Sequence, residues 1–348
     1  MEAFFEFEKP IVNLEKKLQD LRELAKQEGV DFGDEINILE KKVSTLIDET
    51  YAKLTPWQKV QLSRHPGRPY SRDYVDILFP DFMELHGDRA FSDDQAILAG
   101  VATWPPVVPG ATEQLPESER IPVLILGHQK GRNTKQKMER NFAMARPDGY
   151  RKAIRLMQMA DRLKMPVICL IDTPGAYPGM DAEERGQSQA IAASIECMFQ
   201  LGVPSIGVVI GEGGSGGALA IGVTNALFMM EYSYYSVIAP ESCAAILWSD
   251  SSLAERASEK LKMSPPELLR MGVIDGIIPE PKGGAHRDWN LAANMLREAM
   301  LKNLQPLIKK MAKPGKKNDR STFIDPRIEK FRKMGEIALA HAPITPGA

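Results

Sequence analysis

The residues best able to do chemistry are those of Ile210-Gly211-Glu212-Gly213-Gly214-Ser215-Gly216-Gly217-Ala218, which puts five glycines in seven positions directly after the apolar run Ser205 to Ile210. Glycine serves where backbone must come very close to a ligand or take positive φ. A strand that ends in such a run and continues as Ala218-Leu219-Ala220-Ile221 aims the N–H groups of a first helical turn at one spot, since they have no internal acceptors. Such a spot suits an anion or a developing oxyanion.

Several chemistries compete for it. Gly211, Gly213 and Gly216 satisfy G-x-G-x-x-G after a strand, and Glu231 follows about twenty residues on, where a ribose-binding acid would sit in a dinucleotide site. Against this, the helix between Gly216 and Val223 spans only about two turns, too short for the usual crossover. A P-loop needs Gly-Lys-Ser/Thr, and here Gly217 is followed by Ala218-Leu219. The remaining chemical reading is an oxyanion hole in which the amides around Gly216 and Gly217 stabilise an enolate-like oxygen. No Ser-His-Asp or Cys-His set lies close in sequence, although such sets assemble in space. A glycine-rich turn made only for close packing is the structural alternative.

Other chemical residues flank it. Gly127-His128-Gln129-Lys130-Gly131-Arg132, with Lys135, Lys137 and Arg140, follows a strand and is either a phosphate holder or a solvated helix face. His128 reads as a structural hydrogen-bonder. Asp172-Thr173-Pro174-Gly175-Ala176-Tyr177-Pro178-Gly179 is a turn at a strand's C-terminal end, where open α/β sheets place ligands. Glu183 and Glu184 then sit on the first turn of a helix predicted to run to Leu201, where acids favour the helix dipole.

The positioning elements follow from pattern. Ile11, Leu14, Leu18 and Leu21, then Ile36, Leu39, Val43 and Leu46 after a Gly29-to-Gly33 break, predict an antiparallel helical hairpin that packs on its own domain or on a partner. Residues 51–72 read as an extended proline-fixed strap. Strands are predicted over Ala96–Thr103, Pro122–Leu126, Val167–Ile171, Ser205–Ile210, Ala226–Met230, Tyr235–Ile238 and Val273–Ile278. Trp104 to Arg120 reads as a surface loop, and the chain beyond Lys309 as a patternless basic tail. The organisation is a hairpin over 1–54, an α/β domain over 55–305 and a partly mobile tail over 306–348.

At 348 residues, with 43% hydrophobic and 26% charged positions and a net charge of −2, the chain reads as an ordinary globular protein. No global field points to nucleic acid or membrane. Cys169, Cys197 and Cys243 lack CxxC spacing and read as reduced, buried thiols, neither a disulfide framework nor a metal site. No apolar run approaches a membrane span, and no signal-peptide pattern opens the chain, so the cytoplasm is expected.

Taken together, Gly127 to Arg132, Asp172 to Gly179, Glu183-Glu184-Arg185-Gly186-Gln187-Ser188, Gly211 to Gly217 and Pro281-Lys282-Gly283-Gly284-Ala285-His286-Arg287 closely resemble the alpha subunit of the bacterial acetyl-CoA carboxylase carboxyltransferase. The resemblance runs from the hairpin to about Arg287. It implies a crotonase-like (ClpP/crotonase) α/β fold, a spiral of ββα units, and transfer of a carboxyl group from carboxybiotin on a carrier protein to acetyl-CoA, giving malonyl-CoA for fatty acid synthesis. No side-chain base is implied; two backbone oxyanion holes are. The resemblance assigns the biotin-side hole to Gly216 and Gly217, flanked by Gly213 and Gly214, and the other hole to a beta subunit that also carries the system's zinc ribbon. Pro174, Gly175, Ala176, Tyr177, Glu183 and Arg185 would wall the biotin cleft, with Lys130 and Arg132, and Arg151 as a further candidate, holding CoA phosphates. The implied assembly is an α2β2 heterotetramer working with the biotin carboxyl carrier protein and biotin carboxylase, an ATP-binding system. A dinucleotide-binding subunit and a non-catalytic scaffold are the alternatives.

Overall fold

A computed structural model describes residues 4–28, 31–110, 120–311 and 319–335. Eight strands, β1 (Met83–Glu84), β2 (Ile97–Trp104), β3 (Ile121–His128), β4 (Val167–Thr173), β5 (Ser205–Gly214), β6 (Ala226–Met230), β7 (Tyr234–Ser236) and β8 (Gly276–Ile278), form one sheet. Its order is β1-β2-β3-β4-β5-β6-β8, with β7 beside the end of β5. The first three strands pair antiparallel, and every pair from β3 onward is parallel.

Because successive side chains of a strand point to opposite faces, the apolar runs of the central strands feed two cores at once. Leu124, Leu126, Cys169, Ile171 and Val209 enter one; Val123, Ile125, Ile168, Leu170 and Val208 enter the other.

Helices cover both faces. The hairpin is α1 (Lys9–Glu28) and α2 (Gly33–Ala52), followed by α3 (Pro56–Ser63), α4 (Ser71–Leu78) and α5 (Thr134–Glu139). Next come α6 (Pro147–Leu163), α7 (Met180–Glu184), α8 (Gln187–Phe199), α9 (Ser215–Leu219), α10 (Pro240–Trp248), α11 (Ala254–Leu261) and α12 (Pro265–Arg270), then α13 (Trp289–Ile308) and α14 (Ser321–Arg332). One core is closed by α6 and α8 through Ala153, Leu156, Ala160 and Met198; the other by α4 and α13 through Tyr74, Leu78, Ala293, Leu296 and Met300. Proline opens α6, and Lys164 in the left-handed region ends it before Pro166.

Several expectations are corrected. The 51–72 segment is not an extended strap: α2, α3 and α4 take up most of it, and between α3 and α4 the chain turns, the Arg68 N–H donating to the His65 carbonyl at 2.9 Å. Thr55 caps α3, accepting from the Gln58 N–H at 3.2 Å while Gln58 accepts from the Thr55 N–H at 2.9 Å, a reciprocal pair that nucleates a helix from the strap. The helix expected to open at Glu183 is broken in two at Gly186, whose φ of +78° no β-carbon favours. Past Lys309 the chain is not patternless throughout, because α14 docks on the domain. Arg327, fully buried, donates to the carbonyls of Met198 (2.7 Å) and Leu201 (2.9 Å) and to Asn225 Oδ1 (2.6 Å), satisfying acceptors at the C-terminal end of α8. Cys169 is buried as expected, whereas Cys197 and Cys243 are only half-buried. The hairpin turn at 29–30, the loop over 111–119 and the tail segments 312–318 and 336–348 lie outside the described residues.

The hairpin packs on its own domain, with the Tyr51 ring edge-on to Tyr232 at 5.5 Å. Much of the Pro281 to Arg287 motif is spent here. Arg287 pairs with Glu15 (2.6 Å), Lys282 with Asp48 (2.7 Å), and His286 Nε2 lies 3.4 Å from buried Glu8. Burial would push the Glu8 carboxyl up, but hydrogen bonds from His286, the Phe5 N–H and Tyr51 outweigh it and hold it down at about 2. A carboxylate held below its unfolded value stabilises the fold above about pH 4.5, and that contribution is lost as pH falls toward the folded value. Glu8→Gln is therefore expected to flatten the fall of the thermal midpoint between about pH 4.5 and 2, measured as unfolding against pH.

Candidate active site

Strands β3, β4 and β5 deliver their C-terminal ends to one edge. There His128, Asp172-Thr173 and the glycine run meet, as the open-sheet rule requires. The run is not a loop. Strand β5 continues through Gly214, and Glu212, Gly213 and Gly214 pair with β7 after a register shift opposite Ile171 to Thr173.

The reason for each glycine can be read from what a β-carbon would strike. At Gly214 it would strike the Pro174 carbonyl, at Gly213 the Tyr235 ring at 2.7 Å, and at Gly217 the Ala176 nitrogen and Gly175 carbonyl carbon at 2.6 Å. Gly216 differs: its nearest neighbour would be Ile191 Cγ2 at 3.4 Å, ordinary contact. The run and the Pro174 to Ala176 turn are thus two backbones laid against each other. Helix α9 starts at this junction, and its N-cap, Gly214, has no side chain to cap the first-turn N–H groups.

The turn is itself pinned. The Thr173 hydroxyl accepts from the Gly175 N–H at 3.1 Å and lies within donating distance of the Ala143 and Gly175 carbonyls. Tyr177 donates its N–H to Ala145 O (3.1 Å), Gln187 Nε2 bonds the Ala145 and Tyr177 carbonyls, and the Arg146 guanidinium lies 4.9 Å over the Tyr177 ring. Arg185 pairs with Asp148 at 2.6 Å and covers the Phe91 ring at 4.5 Å, while Glu183 is exposed on α7. Among the predicted residues the structure thus brings Pro174, Gly175 and Ala176 against Gly214 and Gly217. Tyr177, Glu183 and Arg185 lie further along the same segment.

Lys130 and Arg132 both make protein contacts. Lys130 Nζ is 2.7 Å from both Asp172 Oδ1 and Glu212 Oε2, with 14% of its side chain exposed. Arg132 pairs with Asp73, donates to Pro66 O (2.7 Å) and Arg68 O (3.0 Å), and is stacked between Tyr70 and Trp289. Both cations are engaged by protein acceptors, and a third of the Arg132 side chain stays exposed. Arg151 is likewise engaged, donating to Arg185 O at 2.6 Å.

Sequence reading missed two features. Gly213-Gly214-Ser215-Gly216-Gly217 also fits G-x-S-x-G, and Ser215 stands exposed at the strand-to-helix corner with φ of +55°, the geometry of a nucleophile elbow. Among the described residues, however, its hydroxyl bonds no histidine or carboxylate. His128, at the end of β3, is fully buried, and burial drives its pKa down to about 3, with the Gly217 backbone only partly offsetting that. The second feature is the charge network beneath the run. Burial would raise the Glu212 carboxyl, but Lys130 and Arg64 hold it down at about 2, and Tyr234 donates to it at 3.0 Å. Its signal in the sequence was Glu212 itself, an acid inside a glycine strand, which demands a cation.

Known proteins resemble the chain over most of its length. A model of the acetyl co-enzyme A carboxylase carboxyltransferase-like family matches residues 4–335. The acetyl-coenzyme A carboxylase carboxyl transferase subunit alpha of Geobacillus sp. (strain WCH70) is 47% identical over 99% of both chains, and that of Thermus thermophilus is 49% identical over 96% of this chain and 98% of the relative. Among solved structures, transcarboxylase 12S superposes with a TM-score of 0.51 at 17% identity over 72% of this chain, and the geranyl-CoA carboxylase beta subunit of P. aeruginosa with 0.52 at 16% over 77%. The chain spans 44% and 47% of those two structures' own lengths. The expected crotonase-like α/β fold is borne out by the sheet and by these neighbours. A carboxyltransferase chain of the alpha-subunit type, the protein belongs to the acetyl-coenzyme A carboxylase carboxyltransferase family.

Proposed function

We propose that this chain supplies the biotin-side half of a carboxyltransferase site, in which the backbone amides of Gly216 and Gly217 receive the ureido oxygen of carboxybiotin carried on a biotin carboxyl carrier protein. The observation that carries the reading is the double backbone platform at Gly214 to Gly217 and Pro174 to Ala176, where uncapped N–H groups sit with no side chain between them. A neutral ring carbonyl fits that donor set: it is small, flat and in need of hydrogen-bond donors rather than a countercharge. When bound, biotin supplies the carboxyl group and takes up charge on its oxygen. Fixed amides stabilise that charge without reorganising as it forms. Gly213 and Gly214 bring the platform into place, Pro174 to Tyr177 form the facing wall, and Arg185 with Glu183 forms its outer end.

The second hole, for the acetyl-CoA thioester, is assigned to a beta subunit, and the proposed assembly is an α2β2 heterotetramer served by biotin carboxylase. Lys130 and Arg132 remain the cations offered to coenzyme A phosphates, alongside the protein contacts they already make. The dinucleotide alternative is weakened by α9, whose five residues cannot span a sheet as a Rossmann crossover does. Among the described residues, no helix is long and apolar enough to cross a membrane.

Calorimetric titration of the assembled enzyme discriminates the readings. Biocytin should give a saturable signal and NAD none; saturable NAD binding with no biocytin signal would overturn the proposal.

A further inference from the structure

We infer that Lys130 is a positioning residue for carboxyl transfer: its ammonium ties the Asp172 carboxylate at the end of β4 to the Glu212 carboxylate within the glycine run, fixing the spacing between the Pro174 to Ala176 turn and Gly214 to Gly217. The inference rests on the oxyanion reading of those glycines. It gives a use to Lys130 within the Gly127 to Arg132 motif.

The geometry is a three-strand clamp. Lys130 follows β3 and reaches Asp172 Oδ1 and Glu212 Oε2, both at 2.7 Å. The same Asp172 Oδ1 accepts the Glu212 N–H at 2.9 Å, so side chain and backbone of Glu212 are both referred to Asp172. The other Glu212 oxygen is held by Arg64 (2.6 Å) and Tyr234 (3.0 Å), and Arg64 continues to Glu241. Asp172 lies two residues before Pro174, and Glu212 two before Gly214. A shift of either carboxylate is therefore passed directly to the surfaces that touch at Gly214 and Gly217. Gly211 permits the approach, because a β-carbon there would collide with the Asp172 carboxylate.

Removing the ammonium leaves two buried carboxylates facing each other, and Asp172 without its bonded cation. The strand ends would part, and a displacement of about 1 Å at a reacting centre costs on the order of a hundredfold in rate. Asp172→Asn removes the orphaned charge yet keeps an Oδ1 acceptor for the Glu212 N–H.

The test uses the enzyme assembled with its beta subunit and follows carboxyl transfer from malonyl-CoA to free biotin. Lys130→Met is expected to lower kcat by about a hundredfold with KM for malonyl-CoA within about threefold, and Lys130→Met/Asp172→Asn to recover at least about tenfold of the loss. Thermal midpoints and assembly are recorded alongside. A Lys130→Met kcat within about threefold of wild type, or a loss that follows the unfolded fraction and is not recovered in the double variant, overturns the inference. Gly217→Ala is run in parallel. Near-normal turnover there would overturn the oxyanion reading and this inference together, whereas lost turnover there beside a normal Lys130→Met enzyme overturns the role of Lys130 alone.

Discussion

Gly217→Ala is expected to lower carboxyl transfer by about a hundredfold or more in the assembled enzyme, although it adds a single methyl group. That methyl would lie 2.6 Å from the Ala176 nitrogen and the Gly175 carbonyl carbon, distances that backbone cannot absorb without moving. Separation of the turn from the run is the consequence, and it also turns the first-turn amides of α9 away from their common focus. The adjacent residue behaves differently. At Gly216 the new methyl meets only Ile191 Cγ2 at 3.4 Å, so Gly216→Ala should keep its thermal midpoint within about 2 °C of wild type. Steady-state transfer assays and thermal unfolding of the two variants check this. Equal effects at the two positions would contradict it.

Arg68→Met is expected to destabilise the chain by about 3–5 kcal/mol. Arg68 is buried behind the glycine strand, where Nε donates to the Ile210 carbonyl at 2.8 Å and the guanidinium forks onto Glu280. Glu280 also accepts from the N–H groups of Tyr232 (2.9 Å) and Ala285 (2.8 Å). Losing the guanidinium strands a buried carboxylate, while Arg68→Met/Glu280→Gln removes both charges and should recover part of the loss. Denaturant unfolding of the wild type, the single and the double variant measures it; a double variant no more stable than Arg68→Met would show that the ion pair is not the cause.

What was legible in the sequence follows from which interactions are local. The continuous apolar runs located the central strands because both faces of β3, β4 and β5 are buried, and the hairpin stripes located α1 and α2. Short elements were misread where a tertiary partner decides the conformation. Strand β5 runs four residues past Ile210 because Pro174 and Tyr235 sandwich its glycines, and neither neighbour is near in sequence. Helix α14 was hidden because its anchor, Arg327, is charged and binds carbonyls that only the folded α8 presents. At the candidate site, the glycines and the Pro174 turn were visible as a spacing of residue types. The Lys130, Asp172 and Glu212 clamp was not, since its members lie on three different strands' ends and look in sequence like a phosphate patch, a turn and an unexplained acid.

Reconstitution from separately purified chains tests the central claim most directly. Malonyl-CoA-dependent carboxylation of free biotin should be absent with this chain alone and with the beta subunit alone, and should appear on mixing them, rising until the two are equimolar. Full activity from either chain by itself would contradict a site built from two half-sites.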